Sequence, residues 1–87
     1  HVFRDNGLVV HVPGAIRDVH EERGHIAFVA AGWPDHPYYV LIVGLKRGPR
    51  VRLNGDEILL TAPHAFDAER GILILRVEGA ASVDIAL

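Results

Sequence analysis

The dipeptide Asn54-Gly55 constrains this chain more than any other pair of residues. Both residues tolerate positive φ, which the tight two-residue turn of an antiparallel hairpin requires. The pair separates Arg50-Val51-Arg52-Leu53 from Asp56-Glu57-Ile58-Leu59-Leu60, so loop length sets the register: Leu53 opposite Asp56 and Val51 opposite Ile58. This register gathers Val51, Leu53, Ile58 and Leu60 on one apolar face, and a slip of one residue would turn one strand's set over. Arg50 and Arg52 then share the other face. Upstream, Tyr38–Val43 (YYVLIV) is apolar at every position, as expected for a central strand or one whose outer side is covered.

The remaining segments follow the same grammar. Asp5-Asn6-Gly7 is a turn signal, and Leu8–Val12 follows as a strand that Pro13-Gly14 stops. Residues 13–24 place only Ile16 and Val19 among charged and polar neighbours and are expected to form a loop. His25–Ala31 alternates as a strand, with Ile26, Phe28 and Ala30 on one side. Gly32–Pro37 holds two prolines within four residues and is a loop. Gly44–Pro49 is a basic turn, and Phe66–Gly71 is a turn ending in a glycine suited to the left-handed region. Ile72–Val77 is a strand, Glu78–Ser82 turns, and Val83, Ile85 and Leu87 alternate to the end. The pattern predicts an all-β fold, an antiparallel β-sandwich of about seven strands and immunoglobulin-like size, with turn signals roughly every 8–12 residues. A closed barrel accommodates the same strands.

Composition sets the scale. Eighty-seven residues make one domain, and the 49% of hydrophobic residues is enough to fill a β core. There is no cysteine, which excludes disulfide staples and thiolate metal sites and leaves the redox compartment open. A formal charge of −2 and a pI near 6.3 give no overall attraction to nucleic acid or to an anionic membrane. No apolar run approaches the ~20 residues of a membrane span. The chain starts at His1 and contains no methionine, as expected of a processed protein or a piece of a longer one.

From Tyr38 onward, LIVGLKRGPRVRLNG, then FDAERGILILRV, then SVDIAL occur in an order that resembles the C-terminal accessory β-sandwich domains of glycoside hydrolases. The resemblance covers residues 38–87. It implies a non-catalytic module that packs on or positions a catalytic domain of the same parent chain and sometimes touches carbohydrate. The catalytic carboxylates would then lie elsewhere in the parent, and none carries over here. Ile72, Ile74 and alternate residues of Tyr38–Val43 are the expected packing face.

Candidate sites are few. The segment WPDHPYY places Trp33, His36, Tyr38 and Tyr39 on or beside a proline-stiffened loop, and aromatic rings on a rigid loop suit stacking on sugars. Packing of Trp33 and one tyrosine over the end of the core, or on a neighbouring domain, is the more ordinary use of such residues. His11, His20, His25 and His36, with Glu21 and Glu22, offer metal-type donors, but their spacing matches no metal motif and no metal or cofactor is expected. His11 reads as a partly buried strand histidine. Lys46, Arg47, Arg50 and Arg52 form a basic cluster that could meet phosphate or sulfate, or form a solvated strand face. Asp5, Asp35, Asp56, Glu57, Asp67 and Glu69 lie in turns; Asp67 with Glu69, or Asp5 with Asn6, are the pairs that could hold surface calcium. Ser82 is the only serine and no triad surrounds it, so catalysis is not expected. The alternatives to an accessory module are an independent carbohydrate-binding module and a small metal- or ligand-binding β protein using the histidines.

Overall fold

A computed structural model describes residues 2–5 and 7–87. Among these described residues there are ten strands: β1 (Val2–Asp5), β2 (Leu8–His11), β3 (Ala15–Glu22), β4 (His25–Ala31), β5 (Tyr38–Val43), β6 (Arg50–Leu53), β7 (Asp56–Ile58), β8 (Ala65–Asp67), β9 (Ile72–Val77) and β10 (Ala80–Ala86). They form two antiparallel five-stranded sheets. The first has the order β1-β2-β5-β9-β8 and the second β3-β4-β10-β6-β7. Each sheet ends in two edge strands.

The period of two in the sequence becomes rows across the sheets. Phe3, Val10, Ile42, Leu73 and Phe66 stand side by side across all five strands of the first sheet. In the second, Ile26, Ile85, Val51 and Ile58 stand side by side across β4, β10, β6 and β7. Both rows belong to a single hydrophobic core, in which Val10, Ile42, Leu73 and Val51 are completely buried. Side chains such as these each contribute roughly 1.5–3 kcal/mol when fully removed from water. Phe3 and Phe28 meet edge to face across the two sheets, with ring centroids 6.3 Å apart.

The Asn54-Gly55 turn forms as its chemistry requires. Asn54 has φ 52° and Gly55 φ 86°, and the pairs Leu53–Asp56 and Val51–Ile58 are in register. Asn54 also binds the neighbouring strand: its N–H donates to the Ser82 carbonyl at 2.8 Å, and its Oδ1 accepts from the Ser82 N–H at 3.0 Å. The turn therefore fastens β6 to β10 as well as to β7.

The strand count of ten, against the seven expected, has one cause. The additional strands β1, β3 and β8 are all edge strands. An edge strand covers only a margin of the core, so it needs few apolar residues and shows little alternation. Residues 13–24, expected as a loop, contain β3, whose side chains are exposed apart from half-buried Ala15 and Ile16. A register shift between Arg17 and His20, with Asp18 at φ 55°, breaks the period there. Glu22 pairs with His25, so Arg23-Gly24 is a two-residue hairpin turn, with Gly24 at φ 64°. Ala80–Ser82, expected within a turn, already belongs to β10. Asp5 is the last residue of β1, and Asn6 lies outside the described residues.

Candidate functional site

Where alternate residues of a strand line the core, the others form an outer face. On the first sheet one outer row reads Arg4, Val9, Val43, Ile72, Asp67, and the next reads Val2, His11, Leu41, Ile74, Ala65. Its centre is thus five aliphatic side chains on the three middle strands, all half-buried: Val9, Leu41, Val43, Ile72 and Ile74. Tyr39 continues the face, opposite Arg76. Ile72, Ile74 and the alternate residues of Tyr38–Val43 do share one outer face, together with Val9 from β2.

The second sheet has an outer face of a different kind. One row reads His20, Ala27, Asp84, Arg52, Glu57; the next reads Glu22, His25, Ala86, Arg50. Three ion pairs cross or edge it. Glu57 Oε1 accepts from Arg50 Nε at 3.0 Å and Nη2 at 2.6 Å. His25 Nε2 meets Asp84 Oδ1, and His20 Nε2 meets Glu22 Oε1 at 3.0 Å. The His20 contact, then its charge and that of His25, holds the Glu22 carboxyl below its ordinary 4.5. Arg50 and Arg52 therefore do lie on one side of the hairpin. Lys46 and Arg47 stand apart from them, on the loop after β5, beside a cavity of about 250 Å³ that Leu8, Glu21, Leu45 and Leu87 help to line.

The aromatic segment divides. Trp33 and Tyr39 are 58% and 55% exposed, and His36 is also exposed. Tyr38 is only 4% exposed and belongs to the core. Its hydroxyl donates to the Gly79 carbonyl at 2.6 Å, and its ring fills the space where a side chain on Gly32 would stand. Burial pushes the Tyr38 phenol above its ordinary 10.0. Strand alternation carries this division: neighbouring tyrosines on β5 point to opposite faces.

Among the described residues, no three His, Asp or Glu side chains converge as metal ligands. His20 forms an ion pair with Glu22 and His25 with Asp84. His11, expected to be partly buried, is exposed on the outer face of the first sheet, because β2 turns that position away from the core. Asp67 caps its own turn, with Oδ1 accepting from the N–H groups of Glu69 and Arg70 at 3.0 and 3.2 Å. The sequence reading had passed over Asp84, whose partner on β4 lies about sixty positions away in the chain and is brought to it only by strand pairing. His64 was missed for the same reason: its Nδ1 accepts from the Arg76 N–H at 3.1 Å, just before β8 begins.

Comparison of the chain with protein-family models, curated proteins and solved structures finds no significant match.

Proposed function

We propose that this chain is a non-catalytic β-sandwich module that packs on a neighbouring domain of the same parent protein through the outer face of its first sheet. The observation that carries the reading is the central group Val9, Leu41, Val43, Ile72 and Ile74, with Arg4 and Asp67 at the two ends of the Val9–Val43–Ile72 row and Arg76 beyond Ile74 on β9. An apolar surface bounded by charge is what an interface core inside a polar rim requires. The resemblance of residues 38–87 to glycoside hydrolase accessory domains supports a carbohydrate-active enzyme as the parent and its catalytic domain as the partner.

The test uses Ile74→Asp and Leu41→Asp in the parent protein, read by hydrogen exchange and limited proteolysis. Both substitutions should raise exchange in β5 and β9 and free the module for cleavage at its boundary. Equal exchange of β5 and β9 in the parent and in the 87-residue chain would sink the proposal.

A second reading, carbohydrate binding by the loop, has the exposure of Trp33 and Tyr39 in its favour and loses Tyr38 to the core. Trp33 is the only tryptophan, so its fluorescence reports on that loop alone. A shift on titration with polysaccharide would support binding, and an unchanged spectrum across a broad glycan panel would remove it.

A further inference from the structure

The outer face of the second sheet holds a trough of about 220 Å³, lined by His25, Arg50, Arg52, Glu57, Asp84 and Ala86. It stands on three paired strands, β4, β10 and β6, so its side chains rise from a rigid base. Ala86 lies between His25 and Arg50 in one row, and Ala27 lies beside Asp84 in the next. The small side chain of Ala86 leaves a low floor between taller charged walls.

The donors and acceptors around that floor are unequally used. Arg50 gives both of its contacts to Glu57 Oε1, and His25 meets Asp84 through Oδ1. Arg52 stands between Asp84 and Glu57 in its row, yet makes no side-chain ion pair or hydrogen bond among the described residues. The trough therefore presents a guanidinium fork whose N–H groups have no partner among the described residues. Beside it, the second oxygens of Glu57 and Asp84 retain lone pairs for hydroxyl donors.

We infer that this trough binds an acidic saccharide, with the carboxylate of a uronic acid residue on Arg52 and its ring hydroxyls on Asp84 and Glu57. A planar guanidinium matches a carboxylate with two parallel hydrogen bonds, and the flanking carboxylates need ligands that donate. Two arginines and two carboxylates leave the arginine–carboxylate set without net charge, so a dianionic phosphate ester gains little, and a sulfate ester spreads its single charge over three tetrahedrally arranged oxygens, which a planar fork matches less closely than a carboxylate. A neutral sugar satisfies the acceptors and leaves Arg52 without a partner. The site does not depend on packing through the first sheet, so either reading survives the failure of the other.

The experiment is a ¹H–¹⁵N NMR titration of the chain with oligogalacturonate, a neutral cello-oligosaccharide and a sulfated disaccharide. Oligogalacturonate should shift the resonances of Arg52, Asp84 and His25 in a saturable manner, and the other two should bind at least about tenfold more weakly. Arg52→Ala should weaken oligogalacturonate binding about tenfold or more, as expected for loss of a charge-assisted pair. Arg4→Ala, on the other sheet, should leave it unchanged. The inference is overturned if oligogalacturonate leaves those resonances in place, if Arg52→Ala binds as tightly as the parent sequence, or if the neutral or sulfated sugar binds equally well.

Discussion

On the outer face of one sheet, Val9, Val43 and Ile72 stand side by side; on the outer face of the other, the comparable row runs His20, Ala27, Asp84, Arg52, Glu57. The inner faces of the same two sheets are alike, both lined with aliphatic side chains in one core. The difference between the outer faces is therefore not a requirement of the fold. A charged face whose members pair with one another is satisfied in water. An aliphatic face gains free energy when something covers it. This contrast underlies the proposals of a protein partner on the first face and a polar ligand on the second.

Residues Leu41 and Ile42 put this contrast to its most severe test, since they are adjacent on β5 and face opposite ways. Ile42→Ala empties a site of zero exposure and should cost about 2–5 kcal/mol in urea unfolding. Leu41→Ala, on the outer face, should cost about 1 kcal/mol or less in the isolated chain. Equal losses would mean that the outer side of β5 is as deeply packed as the inner, and the comparison would fail.

Tyr38 and Tyr39 sharpen it next. Tyr38→Phe removes the donor to the Gly79 carbonyl and should cost roughly 1 kcal/mol, whereas Tyr39→Phe should be silent. Because folding raises the Tyr38 pKa, the neutral phenol is favoured in the native state. Its contribution is whole below 10.0 and declines as pH rises through the higher folded value. Ultraviolet titration should show a tyrosine ionising above 10.0 that Tyr38→Phe abolishes; no such component would refute the burial argument.

On the charged face the effects are smaller. Arg50→Ala should cost about 0.2–1 kcal/mol, diminishing with added salt, since its partner Glu57 is also exposed. A loss of several kcal/mol would show that this face is not a wet surface. Glu22 gives the least effect. Its lowered pKa means that its contribution is present above 4.5 and is lost as pH falls through the folded value. Carboxyl NMR should find its midpoint below 4.5, rising in His20→Ala; an unaltered midpoint would remove the His20 contact.

How much of this was legible depended on where a strand sits. β4, β5 and β9 were bounded correctly by their apolar runs, whereas β10, equally central, was started late because Ala80-Ala81-Ser82 are small residues that follow a glycine and read as a turn. The hairpin register followed from Asn54-Gly55, since a two-residue turn admits one pairing. β1, β3 and β8 were not recognised, because the alternation that marks a strand weakens where the core thins. The aromatic loop was visible as composition, but only burial separates Tyr38 from Trp33 and Tyr39.

Local chemistry in the chain thus specified antiparallel strands, one turn geometry and the residues destined for the core, for these depend on neighbours within a few positions. Tertiary pairing alone placed Asp84 beside His25 and Arg52, and Val9 beside Val43 and Ile72. Those neighbours come from strands distant in the chain, and each outer face takes its character from which strands pair and in what register. Period-two alternation dictates which residues turn away from the core, and sheet order decides what company they keep there.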